Sequence, residues 1–229
     1  MSSRNIRFPL LLVNLKTYEE STGEKAVRLA STAERVSEET GVCVAVSPQT
    51  VDLRTVVENT GIPVFAQHID PVGYGKHTGH IMPEAIAEAG CAGTLISHSE
   101  RRLPLTAIEA TLRRAKEAEL FQVVCVDTVE TGRSVAPLGP DVIAIEPPEL
   151  IGSGIPVSKA RPEVVSGAVE AVQKINPEVR VLCGAGITSG EDVAAALRLG
   201  SEGVLVASGV VKAAEPHIKL MELAEAMRP

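Results

Sequence analysis

The stretch V-I-A-I-E-P-P-E-L-I-G-S-G, Val142 to Gly154, shows the pattern on which the whole chain is built. Four apolar residues end at the carboxylate of Glu146, and two prolines follow, which lack the N–H group that a sheet ladder needs. The later glycines give hinge freedom and let backbone N–H groups approach an anion closely. The stretch therefore predicts a strand with a carboxylate at its carboxyl end, followed by a loop with a stiff start and a flexible finish. A general base beneath a closing lid would need this arrangement, although a solvated carboxylate before a surface turn would have the same sequence.

Short apolar runs of the same kind recur along the chain. They are continuous rather than alternating, which is typical of parallel strands that are buried on both faces of a sheet. With the run already described there are eight: Pro9–Val13, Val42–Val46, Pro63–Ala66, Gly93–Ile96, Phe121–Val126, Val142–Ile145, Val179–Cys183 and Gly203–Val206.

Helical patterns lie between these runs. Glu24–Glu38 follows a capping box predicted from Ser21 to Glu24, and Ser189–Leu199 opens with Ser189 and Asp192. The alternation continues without a domain-like break, which predicts a single α/β domain over residues 1–229, a parallel (β/α)8 barrel. A doubly wound open sheet is the alternative, but no strand is followed by G-x-G-x-x-G.

Composition excludes several classes of function. The formal net charge is −7, and no basic run is long enough for a nucleic-acid footprint. No apolar run approaches the roughly 20 residues of a membrane-spanning helix. The four cysteines show no C-x-x-C spacing, which favours buried, reduced thiols in a cytoplasmic protein. The histidines show no ligand spacing with cysteines or carboxylates, so no metal site is expected.

Two features at the ends of the predicted strands point to an anionic small molecule. Asn14 and Lys16 follow the first strand two positions apart, so they can face one pocket. Small residues follow the seventh and eighth strands, in Gly184–Gly186 and Ala207–Gly209. Such residues after these two strands form a recurring phosphate site in barrels of this kind.

The fourth strand ends in H-S-E-R-R, His98 to Arg102, the most specific motif in the chain. Together with N-x-K at Asn14–Lys16 and E-P at Glu146–Pro147, it resembles the triosephosphate isomerases, and the resemblance runs from Asn14 to Lys212. It implies a TIM barrel that interconverts dihydroxyacetone phosphate and D-glyceraldehyde 3-phosphate in glycolysis and gluconeogenesis, without a cofactor or metal.

The resemblance also implies a role for each site residue. Glu146 would move a proton between two substrate carbons, and a neutral His98 would polarise the carbonyl group. Lys16 would offset the developing negative charge, assisted by Asn14. The substrate would further be bound by a set of residues that hold its phosphate, mainly through backbone N–H groups: Ile151, Gly152, Gly186, Ala207 and Ser208. Gly186 replaces the family's usual serine, and Pro148, Glu149 and Leu150 depart from the usual lid.

Two other functions remain open from the sequence. Another sugar-phosphate isomerase or synthase would explain the small residues after strands seven and eight, but not H-S-E-R-R. A phosphometabolite-binding protein that has lost catalysis would not need to retain Asn14, Lys16, His98 and Glu146 together.

The sequence also carries a prediction about assembly. By resemblance, the loop around Thr78 reaches into a neighbouring subunit's active site. Asp127–Asp141 leaves room for about two helical turns between the fifth and sixth strands, so the outer ring should be thin beside the helical stretch Leu105–Leu120. Another subunit would cover the exposed apolar surface. The short chain is similar to the archaeal branch of the family, which implies a homotetramer with a second interface near residues 105–140.

Overall fold

The structure, a computed structural model, describes residues 5–147 and 162–228. Eight parallel strands form one sheet in the order β2-β1-β8-β7-β6-β5-β4-β3. A parallel bridge between Val46 and Val64 joins the two ends of this order, so the sheet closes. The predicted barrel is confirmed and the open sheet was wrong. The strands are β1 Leu10–Asn14, β2 Cys43–Ser47, β3 Phe65–Ala66, β4 Gly93–Ile96, β5 Phe121–Val126, β6 Val142–Ile145, β7 Arg180–Cys183 and β8 Gly203–Val206.

Helices follow the strands and form the outer ring. Each buries one apolar stripe against the sheet, as Ala26, Ala30 and Ala33 do in the first helix. Within the described ranges the helices are α1 Glu24–Thr40, α2 Leu53–Asn59, α3 Pro83–Glu88, α4 Leu105–Glu117, α5 Val129–Val135, α6 Pro162–Ile175, α7 Gly190–Arg198, α8 Ser208–Val211 and α9 Pro216–Glu225.

The starts of two helices test the capping predictions. Ser189 and Asp192 form the expected capping box at the start of α7. The capping box predicted from Ser21 to Glu24 was wrong. The Ser21 hydroxyl donates instead to the carbonyl of Leu15 at 2.7 Å, and Gly23, with φ of 62°, is the N-cap of α1. The chain leaves a 3-10 turn just before this helix, and the sharp change of direction requires a residue that tolerates positive φ.

Two apolar cores lie on the two faces of the sheet. Leu10 and Leu12 point into the barrel interior, while Leu11 and Val13 point outward to the helices, because successive side chains of a strand alternate. Phe65, Leu95 and other apolar side chains fill the interior. The barrel is therefore a packed core rather than a pore, and polar groups are left to its ends.

The connection between β5 and β6 is as short as predicted. Helix α5 has 7 residues, about two turns, and a 3-10 turn at Ala136–Leu138 completes the connection. No helix in the described part of the chain is both long enough and apolar enough to cross a membrane.

Strand packing leaves no room for side chains at two positions. A Cβ atom on Gly203 would lie 2.1 Å from the carbonyl oxygen of Leu10, at the junction of β8 and β1. A Cβ atom on Gly93 would lie 2.4 Å from the carbonyl oxygen of Phe121 and 2.6 Å from the ring of Phe65. Both glycines are thus required by close backbone approach within the barrel wall.

We expect Gly93→Ala to lower the free energy of unfolding by about 1–3 kcal/mol, the usual cost of forcing a methyl group into a packed core. Gly132→Ala, inside α5, is the matched control, because its new Cβ would meet only side-chain carbons, at 3.8 Å. That variant should be neutral or slightly stabilising. Urea unfolding of both variants checks the expectation, and equal midpoints for the two would contradict it.

Candidate active site

A cavity of about 350 Å³ opens at the carboxyl end of the barrel. The carboxyl ends of all parallel strands meet at this rim, so residues that are far apart in the sequence converge there. The cavity walls include every predicted site residue that the structure describes: Asn14, Lys16, His98, Glu146, Gly186, Ala207 and Ser208. Ile151 and Gly152, with the rest of the predicted lid after Pro147, lie outside the described residues.

Glu146 stands at the end of β6 with its side chain only 2% exposed. Its Oε1 lies 3.2 Å from Nε2 of His98, and its Oε2 accepts a hydrogen bond from the Ser99 N–H group at 3.3 Å. The backbone N–H group of Glu146 donates to the carbonyl of Val126 at 2.7 Å, which extends the ladder between β5 and β6. The carboxylate is therefore held at a rigid strand end and shielded from water.

The room for this carboxylate depends on Gly184, at the end of β7. A Cβ atom there would lie 2.7 Å from Cγ of Glu146 and 3.1 Å from the carbonyl oxygen of Ile145. The glycine therefore leaves the space that the Glu146 side chain occupies.

His98 follows β4 closely and caps a 3-10 turn at Ser99–Arg101. The Glu100 N–H group donates to Nδ1 of His98 at 3.2 Å, so Nδ1 acts as an acceptor and carries no proton in this arrangement. The ring proton then lies on Nε2, the nitrogen that faces Glu146 and the cavity. This neutral tautomer can donate a hydrogen bond to a substrate oxygen.

Lys16 is held in a left-handed backbone conformation with φ of 47°. Its N–H group donates to Oδ1 of Asn14 at 2.9 Å, and its Nζ lies 2.9 Å from Oε1 of Glu100. Gln67, just after β3, donates from Nε2 to the carbonyls of Lys16 and Ser47, at 3.0 Å each. Sequence reasoning missed this role of Gln67, whose only signal was a polar residue at a strand end.

The loop after β7 forms the opposite wall of the cavity. Asp192 anchors it, because its Oδ2 accepts hydrogen bonds from the N–H and hydroxyl groups of both Thr188 and Ser189, at 2.9 to 3.0 Å. Burial acts to raise the pKa of Asp192, but these hydrogen bonds outweigh it and hold the pKa below its usual value. Thr188 and Tyr18 also line the cavity, and the sequence analysis assigned neither of them.

The cysteines are free and buried, as predicted. Burial, followed by the nearby charge of Glu146, raises the pKa of the Cys125 thiol well above its usual range. Cys125 therefore stays a protonated thiol beneath the Glu146 carboxylate. No group of three or more metal-ligating side chains that could hold an ion occurs within residues 5–147 and 162–228.

The loop around Thr78 does not contribute to the cavity wall. It is exposed over most of its length, and Asp70 ties its base together. The carboxylate of Asp70 accepts from the Ile81 N–H group at 2.8 Å, and its own N–H group donates to the Ile81 carbonyl at 2.8 Å. The loop is thus a projecting element with a fixed stem.

The fold and the site together define a barrel enzyme that moves protons on a small anionic substrate. Comparison with known proteins makes the class specific. The model of the family described as triosephosphate isomerase matches residues 9–227, and the chain belongs to that family.

Relatives cover nearly the whole chain. It is 58% identical over 214 residues to triosephosphate isomerase of Methanocaldococcus jannaschii, covering 93% of this chain and 98% of the relative. It is 57% identical over 215 residues to that of Methanosarcina barkeri, covering 94% and 97%. Among solved structures, triosephosphate isomerase from Bartonella henselae superposes with a TM-score of 0.75 at 19% identity, covering 95% and 98% of the two chains, which supports the fold.

We expect Gly184→Ala to lower kcat by roughly 10²-fold, the cost of displacing a catalytic group by about an ångström. The protein should remain folded, because the atom nearest to the added methyl group is a side-chain carbon, Cγ of Glu146, and the nearest backbone atom lies 3.1 Å away. Gly167→Ala on α6 is the control, since its Cβ would meet only Val129 at 3.7 Å. Steady-state turnover and circular dichroism check this expectation. Normal kcat in the Gly184 variant would contradict the placement of Glu146.

Proposed function

We propose that the protein interconverts dihydroxyacetone phosphate and D-glyceraldehyde 3-phosphate, with Glu146 as the base. The observation that carries this proposal is the pairing of a buried carboxylate with an imidazole, 3.2 Å apart, at the mouth of a barrel. Membership of the triosephosphate isomerase family supports the same reaction.

The proposed reaction begins when Glu146 removes a proton from C1 of dihydroxyacetone phosphate. The electron pair of the broken C–H bond forms a carbon–carbon double bond, and the carbonyl π electrons move to the oxygen on C2, giving an enediolate. His98 donates from Nε2 to that oxygen and exchanges protons between the two oxygens. Glu146 then returns its proton to C2, which yields the aldehyde. The sequence of steps consumes no redox equivalent and uses no cofactor.

Lys16 and Asn14 support the charged intermediate. The ammonium group of Lys16 offsets negative charge on the enediolate and the phosphate, and such stabilisation is worth most where water is excluded. Asn14 fixes the Lys16 backbone through its hydrogen bond of 2.9 Å. Backbone N–H groups of Gly186, Ala207 and Ser208, with Ile151 and Gly152 from the lid, are proposed to bind the phosphate.

A binding protein without catalysis is the competing interpretation. It needs no acid–base pair, whereas His98 and Glu146 are in contact here. An assay of glyceraldehyde 3-phosphate isomerisation coupled to reduction of the ketone product separates the two. We also propose a cytoplasmic location, which the free cysteines of the described chain support.

We expect Glu146→Gln to lower kcat by about 10²–10⁴-fold, because it removes the general base and keeps the size of the side chain. Affinity for a phosphate-bearing competitive inhibitor should change little, since the proposed phosphate contacts lie on other strands. Glu130→Gln, which alters an exposed carboxylate on α5, is the control for the change of net charge. Turnover of the Glu146 variant near that of the control would sink the assignment.

We further propose a homotetramer of the single-domain chain. Exposed apolar groups mark two surfaces: Tyr74, 80% exposed in the Thr78 loop, and Leu105, 44% exposed at the start of α4 beside the short α5. The loop would form one interface, and the α4–α5 surface would form the other.

Light scattering should give about four times the 24.1 kDa chain mass at micromolar concentration. Leu105→Glu should reduce the mass to that of a dimer, because it places a charge in the proposed second interface. Ile218→Glu, at another exposed apolar position on α9, should leave the tetramer intact. A wild-type mass of only twice the chain would rule out a stable tetramer.

A further inference from the structure

The charges in the cavity wall do not favour the anion that the cavity is proposed to bind. The wall holds one ammonium group, Lys16, and two carboxylates, Glu100 and Glu146, among the residues that the structure describes. Lys16 is already paired with Glu100 at 2.9 Å. A phosphate group brings a further charge of about −1.5 to −2 near neutral pH. Lys16 can offset part of this charge, and a further positive charge beside the cavity would strengthen the attraction.

Lys212 supplies such a charge beside the cavity, next to the ring of Tyr18. Tyr18 lines the cavity, and Nζ of Lys212 lies 4.5 Å from the centre of its ring. The Lys212 N–H group donates to the carbonyl of Ser208 at 3.0 Å, which ties Lys212 to a residue of the cavity wall. The Tyr18 carbonyl accepts from the Thr22 hydroxyl at 2.9 Å, so the ring also stands on a fixed backbone.

The net charge that Lys212 presents to a ligand depends on the group that its ammonium contacts. A carboxylate would neutralise it, as Glu19 does for Lys25 on the same side of the barrel at 3.3 Å. Lys212 has no carboxylate partner within the described part of the chain, and an aromatic ring orients a cation without cancelling its charge. The field of such a group extends about one Debye length, 8–10 Å, at physiological salt.

We propose that Lys212, oriented by Tyr18, captures the phosphate group of the substrate at the rim and passes it to the backbone N–H groups of the strand-eight loop. Lys212 is a binding residue and Tyr18 a positioning residue, and neither takes part in proton transfer. This inference rests on the proposed function, because it takes a triose phosphate as the substrate.

The test combines kinetics with direct binding. Lys212→Gln should raise KM for glyceraldehyde 3-phosphate roughly three- to tenfold at low salt, the effect of one unit charge on a dianion several ångström away in water. The difference from wild type should shrink as salt screens the charge. Lys212→Arg should restore KM, and Tyr18→Leu should reproduce part of the loss, whereas Tyr18→Phe should not. The variant's kcat/KM for D-glyceraldehyde, which lacks the phosphate, should equal that of wild type.

Lys25→Gln is the matched control, since it removes the same charge from a lysine that is already paired. An equal rise of KM in this control, a loss independent of salt, or an equal loss with D-glyceraldehyde would overturn the proposal. Calorimetric titration with inorganic phosphate keeps the test separate from the reaction. Weaker phosphate binding by Lys212→Gln than by wild type supports the role of Lys212 even if wild type proves inactive. Inactivity of wild type would contradict only the proposed function. If wild type and Lys212→Gln are both active and bind phosphate with equal affinity, the role of Lys212 is refuted and the proposed reaction is not.

Discussion

Pairing of the last strand, β8, with the first, β1, is the constraint on which the site depends. The two strands approach so closely at Leu10 and Gly203 that no Cβ fits between them. Because all eight strands are parallel, closure brings every carboxyl end to one rim. Lys16 and Glu100, 84 positions apart in the chain, therefore lie 2.9 Å apart. The apolar interior needs no polar group, and the chemistry is left to the short segments just beyond the strands.

Two buried carboxylates at this rim, Asp192 and Glu146, have different environments. Asp192 accepts four hydrogen bonds on one oxygen, which lower its pKa despite burial. Its contribution to stability is therefore fully present above the unfolded value of 3.8 and is lost as the pH falls through the lower folded value. Glu146 accepts from one backbone N–H group and faces an imidazole. Asp192 is thus surrounded by donors and anchors a loop, whereas Glu146 has few donors and faces the cavity.

The sequence predicted the features that depend on a local pattern of residues, namely the strands and the polar residues at their ends. Strands buried on both faces read as continuous apolar runs. Glu146 follows one of them directly, and His98 follows another after one residue. It did not predict the roles of Gln67 or Tyr18, because each acts on a segment that only the closed barrel brings near. The Ser21 capping box failed for a related reason: the hydroxyl found a better acceptor, the Leu15 carbonyl, in the preceding turn. Local motifs thus placed His98 and Glu146 at the ends of strands, and tertiary contacts decided what holds them.

Backbone conformation at the carboxyl ends of the strands directs side chains into the cavity. Of the three non-glycine residues with positive φ in the described chain, Lys16 and Ser97 lie just beyond β1 and β4. Such conformations cost about 1–3 kcal/mol and persist only where neighbours hold them. Gln67 holds the carbonyl of Lys16 at 3.0 Å, and Arg102 donates to the carbonyl of Ser97 at 3.1 Å. Each strained residue turns the chain sharply out of a strand, so that the side chain of Lys16 and the ring after Ser97 enter the cavity. The packing of the barrel wall offsets that strain, because Lys16 and Ser97 lie beside rigid strands.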